Sequence, residues 1–148
     1  MSLEDEIKLL RNIPMFAKVD AAKLKLLAFT SERLSFRKGD ILFHQGETGE
    51  AAYLIISGSA DVLVENDHGS IVVAHLQRNS IVGEIAMLCD VPRTATVQAS
   101  EPLEVLKISR DVFFRLMKDF PDMAVEIMRE LAQRLDATTR QLREARAK

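Results

Sequence analysis

The sequence is poor in cysteine, and this scarcity limits the kinds of protein it can encode. Cys89 is the only cysteine among 148 residues, so no internal disulfide framework can form of the kind that small secreted domains need. A single cysteine fits the reducing cytosol. No Cys–His arrangement supports nucleophilic catalysis, and we interpret Cys89 as a small, inert residue.

Excess charge and long apolar runs are missing as well. The formal net charge is -2 and the pI is near 5.9, so no overall basic field draws the chain to nucleic acid. The longest apolar runs, such as Ala51–Ile56, are far shorter than a membrane span. The acids at positions 4–6 stand where a signal peptide needs a basic start. These absences predict a cytoplasmic protein with no membrane partner and no nucleic-acid partner.

Clustered metal ligands and paired catalytic acids are also lacking. His44, His68 and His75 are scattered along the chain, and none falls in a metal-ligand spacing. This argues against a jelly-roll metalloenzyme, which needs histidines and glutamates gathered on facing strands. We therefore expect no enzyme activity, no bound metal and no cofactor.

What the chain does contain is a patterned apolar content of 47%, enough for one core in a single domain of 148 residues. Helical spacing marks residues 1–35, a period of two with recurring turns marks 36–108, and helical spacing returns over 109–148. Many short strands separated by turns predict an antiparallel β jelly roll or barrel. The predicted fold class is α+β, with N-terminal helices and two C-terminal helices.

The C-terminal section ends in a long predicted helix. Ser109 or Asp111 can cap the helix before it, and Pro121 suits the first turn of the last one. Apolar spacings of three and four continue along the last helix for roughly three heptads. We call this set the apolar stripe: Met128, Leu131, Leu135, Thr138, Leu142 and Ala145. It predicts a homodimer paired through this helix.

Two charges interrupt the otherwise small and apolar stretch Gly83–Val97, namely Glu84 and Arg93. The residues after Gly83 predict a short helix whose free N–H groups favour an anion. The planar fork of Arg93 matches phosphate oxygens, whereas Glu84, a pure acceptor, suits a sugar hydroxyl. The pattern predicts a small ligand with one phosphate and one nearby hydroxyl. The alternative is a structural ion pair between the two side chains.

These residues resemble the phosphate-binding cassette of the cyclic nucleotide-binding domain family. That cassette has a Gly-Glu pair, a small residue two positions later, and an Arg followed by Thr, Ser or Ala. The matching residues, within the cassette 83–94, are Gly83, Glu84, Ala86, Arg93 and Thr94. Other family marks stand at residues 38–43, 46–47, 53–55 and 57–58, and the stretch 10–16 resembles the usual helical lead-in. Two departures are Val82, where many members carry Phe, and Asn79, where a turn Gly is common. Asn tolerates the left-handed conformation.

The resemblance implies a role for each residue of the cassette. Arg93 would hold the cyclic phosphate together with the backbone N–H groups of Ala86 and Thr94, and Glu84 would accept from the ribose 2′-hydroxyl. An apolar wall for the ring and sugar would come from Val73, Leu76 and Ile81.

The last helix is similar to the long helix of bacterial cAMP receptor proteins, in which two adjacent hydroxyl residues reach the adenine and the same helix pairs two subunits. Thr138 and Thr139 occupy those positions, and Arg134 a neighbouring one. The alternatives are that these threonines bond their own backbone, or that Thr138 sets the register of a dimer. The complete set of expected ligand-binding residues is Gly83, Glu84, Ile85, Ala86, Arg93, Thr94, Val73, Leu76, Ile81, Arg134, Thr138 and Thr139.

The resemblance thus implies a cyclic-nucleotide sensor that transmits ligand occupancy through its C-terminal helices, with residues 109–120 as the hinge. The adjacent threonines favour cAMP, although a Thr after the cassette Arg also occurs in relatives that prefer cGMP. The alternatives are a cGMP-binding module and a ligand-free interaction or dimerisation domain that kept the fold. Bacterial relatives with this helix are transcription factors. We therefore expect either a fragment of such a regulator or a domain that acts through a partner.

Overall fold

Two four-stranded antiparallel sheets form the centre of the fold. The computed structural model describes residues 3–13 and 16–147, except for the side chains of Ile85, Glu130, Arg134, Thr138, Arg146 and Ala147. The helices are α1 (Leu3–Arg11), α2 (Ala21–Thr30), α3 (Glu84–Cys89), α4 (Arg110–Asp119) and α5 (Pro121–Ala147). The strands are β1 (Glu32–Phe36), β2 (Ile41–Phe43), β3 (Ala51–Ser57), β4 (Ala60–Asn66), β5 (Gly69–Leu76), β6 (Ile81–Val82), β7 (Thr96–Ala99) and β8 (Leu103–Ser109).

The strand order is β1-β8-β3-β6 in one sheet and β2-β7-β4-β5 in the other, and every pairing is antiparallel. Two antiparallel sheets with helices at both ends of the chain confirm the predicted α+β jelly roll. The hairpin predicted at residues 66–69 joins β4 to β5.

Strand β3 is buried on both of its faces, and it separates two cores. Leu54 and Ile56 point to the helices, where they join a cluster that includes Phe113 of α4. Ile55 points to the space between the two sheets and joins a second cluster with Val97 of β7. Because successive side chains of a strand alternate between its faces, a strand between two cores must be apolar along its buried length, and residues 51–56 of β3 are buried and apolar.

Strand β1 begins at Glu32, inside the segment 1–35 that we predicted to be helical. That part of the prediction was wrong. Arg33 and Leu34 pair with β8, and Arg33 Nη2 donates to Glu104 Oε2 at 2.9 Å. Pairing with a strand some seventy residues away is a tertiary effect that outweighs the local pattern.

The predicted helix boundaries near the C-terminus are confirmed. Ser109, rather than Asp111, is the N-cap of α4, because its Oγ accepts a hydrogen bond from the Val112 N–H at 3.2 Å. Pro121 is the first residue of α5. Within the part of the chain that the structure describes, no helix combines the length and apolar content needed to cross a bilayer.

The central position of β3 leads to a prediction for stability. Leu54 is fully buried, so Leu54→Ala should lower the free energy of unfolding by about 2–5 kcal/mol, because it removes buried apolar contacts and leaves a void that the surroundings fill only in part. Ile71→Ala, on the exposed edge strand β5, should change it by about 0.5 kcal/mol. Urea denaturation measures both, and equal losses would contradict the two-core arrangement.

Candidate functional site

A cavity of about 250 Å³ lies beside α3, bounded by residues of β4, β6 and β7. Its lining residues are Phe43, Val62, Leu76, Ile81, Val82, Gly83, Glu84, Ala86, Arg93, Thr94, Ala95 and Val97. Most of the lining is apolar, while Glu84 and Arg93 are its two charged members. The cavity can therefore accept a small molecule that carries both an apolar surface and a charged group.

The chain reaches this cavity through a tight turn. β6 pairs with Tyr53 and Leu54 of β3, and Gly83 then takes a left-handed conformation with φ of 86° at the start of α3. A residue with a side chain would be strained there. Met87 of α3 is buried in the core cluster that β3 shares with the helices. The short helix is therefore anchored there, while its first residues border the cavity.

Arg93 is held in place by backbone hydrogen bonds as well as by its side chain. Its N–H donates to the Glu47 carbonyl, and its own carbonyl accepts from the Gly46 N–H, both at 2.8 Å. Thr48 and Pro92 form an isolated β-bridge beside these bonds. The loop 44–50 therefore determines where the Arg93 side chain begins.

The guanidinium of Arg93 is almost completely removed from solvent, with 5% of the residue exposed. Nη1 donates to the Gly83 carbonyl at 2.9 Å, and Nη2 donates to the Ala51 carbonyl at 2.8 Å. Nε is buried without a hydrogen-bond partner among the described residues. Because a guanidinium has five N–H donors, donors remain for an anionic ligand.

The surroundings of Arg93 shift the pKa of its guanidinium in opposite directions. Burial lowers the pKa of the guanidinium from its ordinary value, while Tyr53, Glu47 and Glu84 raise it. An arginine nevertheless stays protonated in proteins. The site thus holds a permanent, poorly hydrated cation, and such a cation binds an anion more strongly than an exposed one does.

The structure brings together seven of the residues predicted from sequence: Leu76, Ile81, Gly83, Glu84, Ala86, Arg93 and Thr94 all line the cavity. Val73 does not line it. This residue lies on the edge strand β5, beside the bulge between Val62 and Leu63 of β4, and is 57% exposed. The Thr139 hydroxyl donates to the Leu135 carbonyl at 2.9 Å, which is the backbone bond weighed as its alternative role. The side chains of Ile85, Arg134 and Thr138 lie outside the described part.

Sequence reasoning missed five lining residues: Phe43, Val62, Val82, Ala95 and Val97. Val97 lies between Thr96 and Gln98, and Val62 follows Asp61, so this alternation indicated that both side chains face inwards. Their contact with this cavity depends on which strands pair, and the strand order is not visible in a local pattern.

Comparison with known proteins supports one family. A family model described as the cyclic nucleotide-binding domain matches residues 33–120. A cAMP-dependent protein kinase regulatory subunit from Yarrowia lipolytica is 34% identical over 108 residues, which cover 73% of this chain and 28% of that protein. The chain spans only 22% to 28% of the length of the three kinase regulatory subunits compared.

Solved structures with a similar fold come from bacterial regulatory proteins. The N-terminal domain of a transcriptional regulator from Streptomyces coelicolor A3(2) is similar with a TM-score of 0.79 and 27% identity, covering 88% of this chain and 94% of that one. The catabolite activator protein of Thermus thermophilus is similar with a TM-score of 0.78 and 26% identity, covering 89% of this chain and 62% of that one.

The close approach at Gly83 generates a prediction for stability. A Cβ at this position would collide with Arg93 Nη1 and lie 3.3 Å from Phe43 Cε2, whereas a Cβ at Gly39 would meet nothing within 4 Å. Both glycines have positive φ. Gly39→Ala should therefore cost about 1–2 kcal/mol of unfolding free energy from backbone strain alone, and Gly83→Ala about 1–3 kcal/mol more. Chemical denaturation measures the difference, and equal costs would show that Arg93 does not occupy this position.

Proposed function

The chain belongs to the cyclic nucleotide-binding domain family, and we propose that it is a sensor that binds a 3′,5′-cyclic nucleotide, cAMP in preference to cGMP, in the cavity around Arg93. The observation that carries this proposal is the buried guanidinium, which borders an apolar cavity and keeps unused N–H donors. Burying a cation at such a place costs free energy unless an anion pairs with it.

Each part of a cyclic nucleotide has a matching group in the cavity. The cyclic phosphate binds Arg93 and the backbone N–H groups of Ala86 and Thr94. Glu84 accepts a hydrogen bond from the ribose 2′-hydroxyl, the sugar hydroxyl that a 3′,5′-cyclic nucleotide leaves free. The side chains of Leu76 and Ile81 supply an apolar surface for the sugar and base.

Ligand binding acts on the C-terminal helices in this proposal. Thr139, together with the predicted positions 134 and 138, contacts the base when α5 closes over the cavity, and residues 109–120 act as the hinge. Thr139 then exchanges its bond with the Leu135 carbonyl for a bond to the base. A ligand shifts such an equilibrium only if it binds the closed arrangement more tightly, and contacts made solely on closure provide that difference.

We further propose that two copies of the chain pair through α5. Within the apolar stripe, Leu131 packs partly against the helical core. Met128, Leu135 and Leu142 are exposed. More than half of the surface of each of these three residues is uncovered in the single chain. A second copy of the same helix would cover them by coiled-coil packing.

The first test of the binding proposal is Arg93→Ala. The substitution removes the charge-assisted bonds to the phosphate and should weaken cAMP binding by about 2–4 kcal/mol, roughly thirtyfold to a thousandfold in Kd. Isothermal titration calorimetry measures the affinity. Arg33→Ala is the matched control, because Arg33 pairs with Glu104 outside the cavity, and its affinity should stay within about twofold of the original. An unchanged affinity in Arg93→Ala would contradict the assigned role.

Thermal-shift titration separates the alternatives. A nucleotide at 100 times its Kd should stabilise the folded protein by about 2.7 kcal/mol. A larger shift with cGMP than with cAMP at equal concentration would reverse the assigned preference. The absence of a shift with either nucleotide would favour a ligand-free interaction domain.

The pairing proposal predicts that the protein has the mass of a dimer in solution. Light scattering should give twice the mass of one chain. Leu135→Glu should give the mass of one chain, because the substitution places an unpaired carboxylate in the interface, and burying such a charge is costly. Gln133→Glu adds the same charge at another exposed position of α5 and should leave the dimer intact. A single mass for the unmodified protein, with and without nucleotide, would mean that the stripe packs in some other way.

A further inference from the structure

An aromatic pair lies against the guanidinium that the sequence identified, and neither aromatic ring was predicted to take part in the site. The Phe43 ring, at the end of β2, has its centroid 4.0 Å from Arg93 Cζ. The Tyr53 ring of β3 is stacked on Phe43, with centroids 5.8 Å apart and an interplanar angle of 28°. The Tyr53 centroid lies 5.9 Å from Arg93 Cζ.

The contact between Phe43 and Arg93 has the geometry of a cation–π interaction. A guanidinium within about 6 Å of a ring centroid is attracted by the negative face of the ring, and the attraction is stronger when water is excluded. Arg93 is one of only two buried polar or charged residues in the described part of the chain. Water therefore does little to screen its interaction with Phe43.

The two carbonyl bonds of Arg93 leave one motion of the guanidinium unrestrained. Nη1 and Nη2 are both held, by Gly83 and Ala51, so the plane can still tilt about the line that joins these two atoms. A ring at 4.0 Å blocks that tilt on its own side. The backbone of Gly49 also approaches closely, since a Cβ built there would lie 2.5 Å from Nε and 2.6 Å from Cζ.

We propose that Phe43 is a positioning residue for the phosphate of the bound nucleotide. Its ring holds the guanidinium plane in one orientation, so that the N–H donors not used by the two carbonyls are presented to one anionic group. Phe43 itself borders the cavity and acts on the phosphate through Arg93. This inference rests on the proposed function, since it requires a ligand with a phosphate at this place.

A purely structural role is the competing explanation. Phe43 packs against the second core cluster, so truncating it will also change stability. A structural role lowers the affinity by the same factor whichever side chain stands at position 93. A positioning role lowers it only while the guanidinium is present. A double-mutant cycle distinguishes the two, because it measures the coupling between two residues directly.

The experiment compares the unmodified chain with Phe43→Leu, Arg93→Lys and the double variant, using calorimetric titration with cAMP on the folded proteins. Phe43→Leu should weaken binding by about fivefold to thirtyfold when Arg93 is present. In the Arg93→Lys background, where a lysine cannot span both carbonyls with a planar fork, the same change should weaken binding by about twofold or less. Phe43→Tyr keeps the ring and should stay within about twofold of the unmodified affinity.

Equal losses in both backgrounds would overturn the inference and leave Phe43 as a core residue. A Phe43→Tyr variant as weak as Phe43→Leu, or a Phe43→Leu variant with unchanged affinity, would overturn it as well. In each of these cases the unmodified chain still binds cAMP, so the proposed function survives. If the unmodified chain binds neither cAMP nor cGMP, the proposed function fails and the positioning role fails with it.

Discussion

A cation buried between two backbone carbonyls is the constraint on which the rest of the site depends. The Arg93 guanidinium bonds to the carbonyls of Gly83 and Ala51, and burial lowers its pKa while Tyr53, Glu47 and Glu84 raise it. These carbonyls come from two places in the chain, the turn before α3 and the start of β3. The arginine thereby joins the cassette to the central sheet, and its remaining donors are the ones that we propose bind the phosphate.

The cassette is also connected to the helices that follow the sheets. Met87 of α3 belongs to the same buried cluster as Phe113 and Leu116 of α4. At the other end of α3, Arg110 Nη1 lies 2.8 Å from Asp90 Oδ1, and the Arg110 N–H donates to the Glu50 carbonyl at 2.7 Å. The exposed ion pair contributes little by itself, whereas the buried cluster contains side chains of both α3 and α4. This is the physical connection between the cavity and the proposed hinge.

Local patterns were sufficient for some elements and insufficient for others. The glycine before α3, the left-handed Asn79 and the Pro121 helix start are all properties of a residue and its nearest neighbours, and the structure has them as expected. β1 was missed because it exists through its pairing with β8. Phe43 was missed as part of the site because its neighbour Arg93 is fifty positions away in the chain.

The sequence by itself determined the antiparallel jelly-roll or barrel class and the two charges, Glu84 and Arg93, in an apolar stretch, because a period of two, the turn residues and a costly buried charge can all be recognised without coordinates. Only the tertiary structure decided how the arginine is held, which ring lies against it and which strands enclose the cavity. The reason is that strand order and side-chain contacts depend on residues far apart in the chain, and no local pattern encodes those distances.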